Sequence, residues 1–183
     1  MADLKITELA ALTVVNDEDL IAIVDDPTGT ASTKKIRTDD FQSGWHVGAR
    51  VYHDANIDCP SGEWVALSFN SERYDTDGIH SAATGTFSRL TCQTPGKYLI
   101  IGNVLWNPDT TARRILQINL NGDTTIGIVE YSVVASEKMN VSSIYDLEVG
   151  NYVGLWAYQN SGGALPVIAT AQYSPEFMMQ RIG

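Results

Sequence analysis

Tyr98-Leu99-Ile100-Ile101-Gly102-Asn103-Val104-Leu105-Trp106 is the stretch that sets the architecture. Its length and its β-branched and aromatic content read as a long strand. Successive side chains of a strand point to opposite faces. Tyr98, Ile100, Val104 and Trp106 therefore share one face, and Leu99, Ile101 and Leu105 share the other, beside Asn103. An antiparallel strand with one wet face alternates apolar and polar residues. This one is apolar on both sides, so both faces are expected to be buried. One face fits a core. The other needs a cover, either a subunit interface or an insertion of the same chain, and the interface is the preferred reading.

The pattern continues outward as short strands with turn signals. Asn107-Pro108-Asp109 closes the long strand, and Ile115 to Leu120 then alternates, with Leu116, Ile118 and Leu120 on one face. Asn121-Gly122 is a hairpin signal, because both residues tolerate the positive φ of a tight reverse turn. Thr124 to Val134 returns, followed by strands over Val141–Leu147, Tyr152–Tyr158, Pro166–Tyr173 and Phe177–Ile182. Upstream, Trp64 to Phe69 reads as a strand and Asn70 to Ala83 as a polar loop. Regularly spaced short strands with no 3.6-residue period after residue 43 predict an all-β, antiparallel sandwich or barrel.

The first 43 residues differ from the rest. Asp19-Leu20-Ile21-Ala22-Ile23-Val24 reads as a strand, Asp25-Asp26-Pro27-Thr28-Gly29 as a turn, and Thr33-Lys34-Lys35-Ile36-Arg37 as a return strand. An isolated two-stranded hairpin is marginal in water, so this arm is expected to dock on something. Leu4 to Val15 fits a short amphipathic helix or an extended segment equally well. The domain expectation is thus an arm over 1–43 and a β domain over 44–183.

Composition narrows the function classes. The 183 residues carry 22 acids and 12 bases, a formal charge of −10. Residues 1–40 hold nine acids and four bases, so half of the net charge sits in the arm. Nucleic acid is not an expected partner, because phosphate binding needs clustered Lys and Arg. Met1-Ala2-Asp3-Leu4-Lys5 lacks a basic n-region, so no leader is expected. Asn151 to Pro175 is uncharged, but Gln159-Asn160-Ser161-Gly162-Gly163 and Pro166 divide it, so no membrane insertion is expected. Cys59 and Cys92 are too few for a disulfide framework; one bridge between them is open, and buried free thiols are the preferred expectation.

The stretch from 49 to 183 resembles the complement C1q/TNF-like jelly roll. Gly85-Thr86-Phe87, then Pro95-Gly96-Lys97-Tyr98, is similar to the family's G-x-F and P-G-x-Y passage. Asn121-Gly122 falls at its central hairpin. Leu147-Glu148-Val149-Gly150-Asn151-Tyr152-Val153 resembles its L-x-x-G-D-x-V motif, with Asn151 where Asp is usual, and Phe177 and Ile182 fall in the closing strand. The resemblance implies a jelly roll of about ten strands and a tight symmetric trimer. It implies that Leu99, Ile101, Asn103 and Leu105 line the trimer interface.

Residues 4–40 resemble the attachment segment that opens many tailed-bacteriophage fibre and head-decoration proteins. The similarity lies in Ile6-Thr7-Glu8-Leu9, in Asp19 to Asp25, in Thr33-Lys34-Lys35-Ile36 and in Asp39-Asp40-Phe41. It implies a virion anchor made by Leu20, Ile21, Ile23 and Val24 with Lys34, Lys35 and Ile36.

Catalytic and metal chemistry find little footing. His46, His53 and His80 show no H-x-H or H-x-x-x-H spacing, so surface or locally bonded histidines are expected. Asp75-Thr76-Asp77-Gly78 starts like a calcium loop but lacks the closing Glu, which favours an Asx-rich turn. No G-x-S-x-G elbow is present. Trp45, Trp64, Trp106, Trp156 and Tyr158 are candidates for a sugar platform, with Trp64 and Trp106 better placed in a core. The expectation is a non-enzymatic, homotrimeric virion structural protein of a tailed bacteriophage, assembled in the bacterial cytoplasm and needing no cofactor. It would be a capsid decoration or short head fibre, with capsid or tail proteins as partners. The alternative is a tail-associated, receptor-binding knob that takes a host-surface glycan.

Overall fold

The structure is a computed structural model that describes residues 20–25, 32–37, 46–83, 85–111, 113–132 and 138–183. Leu4–Val15, most of the first turn, Trp45 and the end of the strand expected over Thr124–Val134 lie outside the described residues. The chain divides into two units, Met1–Gly44 and Trp45–Gly183. In the first, β1 (Leu20–Asp25) and β2 (Ser32–Arg37) pair antiparallel. Their register sets Leu20 opposite Arg37, Ile21 opposite Ile36, Ala22 opposite Lys35, Ile23 opposite Lys34 and Val24 opposite Thr33.

The second unit is a sandwich. One sheet is formed by β3 (Gly48–Tyr52), β6 (Ser71–Asp75), β8 (Gly96–Leu105), β11 (Lys138–Leu147) and β14 (Glu176–Arg181). Their order is β11-β8-β14-β3-β6. The facing sheet has the order β10-β9-β12-β5, with β7 also pairing β12. Its members are β5 (Trp64–Ala66), β7 (Arg89–Thr91), β9 (Arg113–Leu120), β10 (Thr124–Ser132) and β12 (Tyr152–Gln159). Short strands β4 (Ile57–Cys59) and β13 (Leu165–Val167) form a further pair. That pair brings the described body to twelve strands against the expected ten or so.

Period-2 patterning explains the layers. Tyr98, Ile100 and Val104 of β8, Phe177 and Met179 of β14, and Val51 of β3 point into the core. From the facing sheet come Leu116 and Ile118 of β9 and Val153, Leu155 and Ala157 of β12. Phe69 and Phe177 stack with ring centroids 5.7 Å apart. Gly102 of β8 sits tightly against the facing sheet: an added Cβ would stand 2.4 Å from Leu155 Cδ1. A core packed to this density leaves no room for a methyl group at that position.

The turns follow their sequence signals. At the β9–β10 hairpin Asn121 and Gly122 take φ of 53° and 88°. In the motif before β12, Asn151 N–H donates to Glu148 O (3.0 Å), and Asn151 Oδ1 accepts the Glu148 N–H (3.0 Å). The Asn151 amide oxygen thus supplies the acceptor that closes this turn.

Three expectations are corrected. The polar loop over Asn70–Ala83 contains β6, a strand whose polar residues fit its place at the sheet edge. The strand expected over Trp64–Phe69 stops at Ala66. Leu67 N–H still reaches Leu155 O (2.9 Å), but Phe69 N–H turns to Phe87 O (2.8 Å). The strand expected over Pro166–Tyr173 stops at Val167, because Ala171–Tyr173 form a turn closed by Thr170 and Ser174.

Candidate functional site

The face of β8 that turns away from the core is the first candidate. Leu99, Ile101, Asn103 and Leu105 all lie on it, and all four are half-buried. Register extends the face across neighbouring strands: Gln180, Met178 and Glu176 of β14 stand opposite Leu99, Ile101 and Asn103. On β11, Ile144 stands opposite Leu99, Ser142 opposite Ile101 and Asn140 opposite Asn103. Ile144 is 61% exposed. Asn140 Nδ2 donates to Asn103 Oδ1 at 2.6 Å. The result is an apolar strip of Leu99, Ile101, Leu105, Met178 and Ile144 flanked by amides.

Charge is gathered at one side of this face, where sequence reading missed it. Glu176 is fully buried. Its Oε2 accepts from Arg50 Nε (3.1 Å) and Nη2 (2.6 Å), and its Oε1 accepts from Arg73 Nε (2.5 Å). Arg73 also lies 4.6 Å over the Tyr52 ring. Charge-assisted bonds offset the desolvation of the carboxylate. The signal was Glu176 immediately before the apolar run Phe177-Met178-Met179, but its partners are far away in sequence.

The outer face of the facing sheet is the second candidate. Trp156 and Tyr158 alternate with the core residues of β12, and both are half-buried. Trp64 pairs with Tyr158 across the strands and is 41% exposed, which corrects the core placement expected for it. Its short strand lies at the sheet edge, and register puts the indole on the outer face. Trp106 does enter the core and is fully buried.

The remaining reactive groups are locally bonded. Cys59 and Cys92 are free and buried. Burial, reinforced by Asp58, pushes the Cys59 thiol up to about 12, and burial raises Cys92 as well. Both are held in the thiol form, which is a packing group rather than a nucleophile. Asp75 Oδ1 accepts the N–H groups of Asp77 (3.1 Å) and Ile79 (3.0 Å), and Oδ2 accepts that of His80 (2.8 Å). That is the Asx-rich turn, with the carboxylate occupied by the backbone. His80 is buried, with Nδ1 2.8 Å from Glu72 Oε1 and Nε2 3.1 Å from Phe69 O. Among the described residues no three His, Cys, Asp or Glu side chains converge as a metal set. No helix among them is long and apolar enough to cross a membrane.

Comparison with solved structures decides the architecture. The globular domain of a zebrafish complement 1qA protein matches with a TM-score of 0.50 at 15% identity, over 75% of this chain and 98% of that one. Murine APRIL matches with a TM-score of 0.56 at 10% identity, over 75% and 99%. The fold is a C1q/TNF jelly roll. The Eiger TNF of S. frugiperda has the same jelly roll, with a TM-score of 0.52 at 9% identity over 75% of this chain and 93% of that one. No protein-family model matches the sequence, and no curated protein matches it. At these identities the likeness carries the jelly roll and not a function.

Proposed function

We propose that the chain is a non-enzymatic, homotrimeric structural protein of a tailed-bacteriophage virion, either a capsid decoration or a short head fibre. The observation that carries the trimer is the outward strip of Leu99, Ile101, Leu105, Met178 and Ile144, on a sheet whose other side is already the core. An apolar strip with amides and a charged cluster beside it has the anatomy of an interface centre and rim. Three copies related by a closed rotation cover it completely. Its burial contributes about 25 cal/mol per Å² before association costs.

Attachment is assigned to residues 1–43 on the phage-like pattern, and the β1–β2 register, which pairs Ile21 with Ile36 and Ile23 with Lys34, supports a hairpin there. Three arms on one trimer multiply weak contacts into stable attachment. The test is a chain lacking residues 1–43, mixed with particles that lack the native protein. It is expected to remain a trimer and to fail to bind the particle. Full decoration by the truncated protein overturns the anchor. The second reading, a tail-associated receptor-binding knob, is favoured by the aromatic outer face of the facing sheet.

A further inference from the structure

Three rings, Trp64, Trp156 and Tyr158, share the outer side of the β10-β9-β12-β5 sheet. Trp64 and Tyr158 pack with ring centroids 5.2 Å apart and planes at 42°. The Trp156 indole lies against Gly154, where an added Cβ would stand 3.2 Å from the indole Nε1. Gly154 therefore provides space for the indole to lie close to the sheet. A half-exposed indole offers ring surface for stacking.

The polar groups beside the rings are chiefly amides. Gln117 stands opposite Trp156, and Asn119 stands opposite Gly154. Thr125 donates its hydroxyl toward Asn119 Oδ1 (3.2 Å) and Gln117 Oε1 (3.4 Å). An amide offers both a donor and an acceptor, which suits hydroxyl groups. Two arginines lie among the rings: Arg113 is 5.5 Å over the Tyr158 ring and 3.5 Å from Glu130, and Arg89 is 4.6 Å over the Tyr152 ring. An uncharged ligand leaves the Arg113–Glu130 pair intact, whereas the chain's net charge of −10 disfavours polyanions.

We infer that this face binds an uncharged oligosaccharide, with the C–H face of a pyranose ring on Trp156, a neighbouring sugar against Trp64 and Tyr158, and hydroxyls paired with Gln117. The site lies on the sheet opposite the trimer strip, so the inference stands or falls independently of the trimer and of virion attachment.

The test uses the full chain on a printed array of uncharged, carboxylated and sulfated bacterial-surface and plant oligosaccharides, with calorimetry of each hit. At least one uncharged glycan is expected to bind. Trp156→Ala and Trp64→Ala are each expected to weaken it about tenfold, the scale of losing one stacked ring. Tyr145→Ala, which removes an exposed ring from the other sheet, is expected to leave binding unchanged. Circular dichroism and solution mass verify the fold of each variant. Trp64→Ala alters an exposed edge residue, so it carries the test if Trp156→Ala fails to fold. Four outcomes overturn the inference: no uncharged glycan bound, binding confined to carboxylated or sulfated glycans, undiminished binding by a folded ring variant, or loss of self-association in Trp64→Ala. The last would make this face a contact between copies.

Discussion

Arg50 grips one oxygen of Glu176 with two nitrogens, Nε at 3.1 Å and Nη2 at 2.6 Å, and that carboxylate is fully buried. The pair joins β3 to the adjacent β14, with Arg73 of β6 on the other oxygen. Removing one member of such a cluster strands the rest. Glu176→Gln is expected to cost about 2–4 kcal/mol, at the lower side of buried pairs because both arginines keep partial solvent contact. Urea denaturation measures it. A loss below about 0.5 kcal/mol, the range of ordinary surface changes, refutes a structural role for the cluster.

Gly102 packs directly on Leu155 of the facing sheet. Gly102→Ala is expected to destabilise the domain by about 1–3 kcal/mol, as overpacked cores do, because Leu155 has to move. Thermal unfolding of the variant beside the parent is the measurement, and an unchanged midpoint would show that Leu155 shifts freely.

The trimer strip is tested by charge. Ile101 stands opposite Met178 at its centre, so Ile101→Asp places three carboxylates in an apolar interface. Light scattering is expected to give about three times 20.0 kDa for the parent and about 20.0 kDa for the variant. A monomeric parent, or a variant that remains trimeric, removes this face from the interface.

Cys59 sets a pH dependence. Its thiol titrates at about 12 in the folded chain against an ordinary 9.0. Above pH 9 the unfolded chain loses this proton while the folded chain keeps it. The neutral buried thiol therefore contributes stability that is complete below pH 9 and is lost as pH rises toward about 12. Cys59→Ala is expected to flatten that alkaline decline in a series of denaturation curves. At pH 8 the native thiol is expected to resist alkylation and to react once the chain is unfolded. Rapid labelling of the native protein would contradict its burial.

Sequence reading succeeded where local rules govern. The strict alternation along β8 separated Tyr98, Ile100 and Val104 from Leu99, Ile101 and Leu105, and the structure keeps that division. Asn121-Gly122 marked its hairpin through backbone conformation alone. Failures came where distant parts of the chain decide. Ser71–Asp75 reads as a loop because its strand character depends on pairing with β3 at an edge that tolerates polar residues. Trp64 reads as core because its edge position is set by β12, nearly a hundred residues later. Glu176 looked unremarkable until Arg50 and Arg73 were brought to it.

The start of β12 is held from two sides by neutral amides. Asn121 Oδ1 accepts the Tyr152 N–H (3.0 Å), Asn121 N–H donates to Tyr152 O (2.8 Å), and Asn151 Oδ1 closes the preceding turn on Glu148 N–H (3.0 Å). A carboxylate in either position would gain a proton in acid and surrender part of its accepting capacity. An amide keeps its acceptor at any pH the fold survives. These two clasps therefore do not titrate, and Asn151, where the resembling motif has Asp, keeps its acceptor as pH falls.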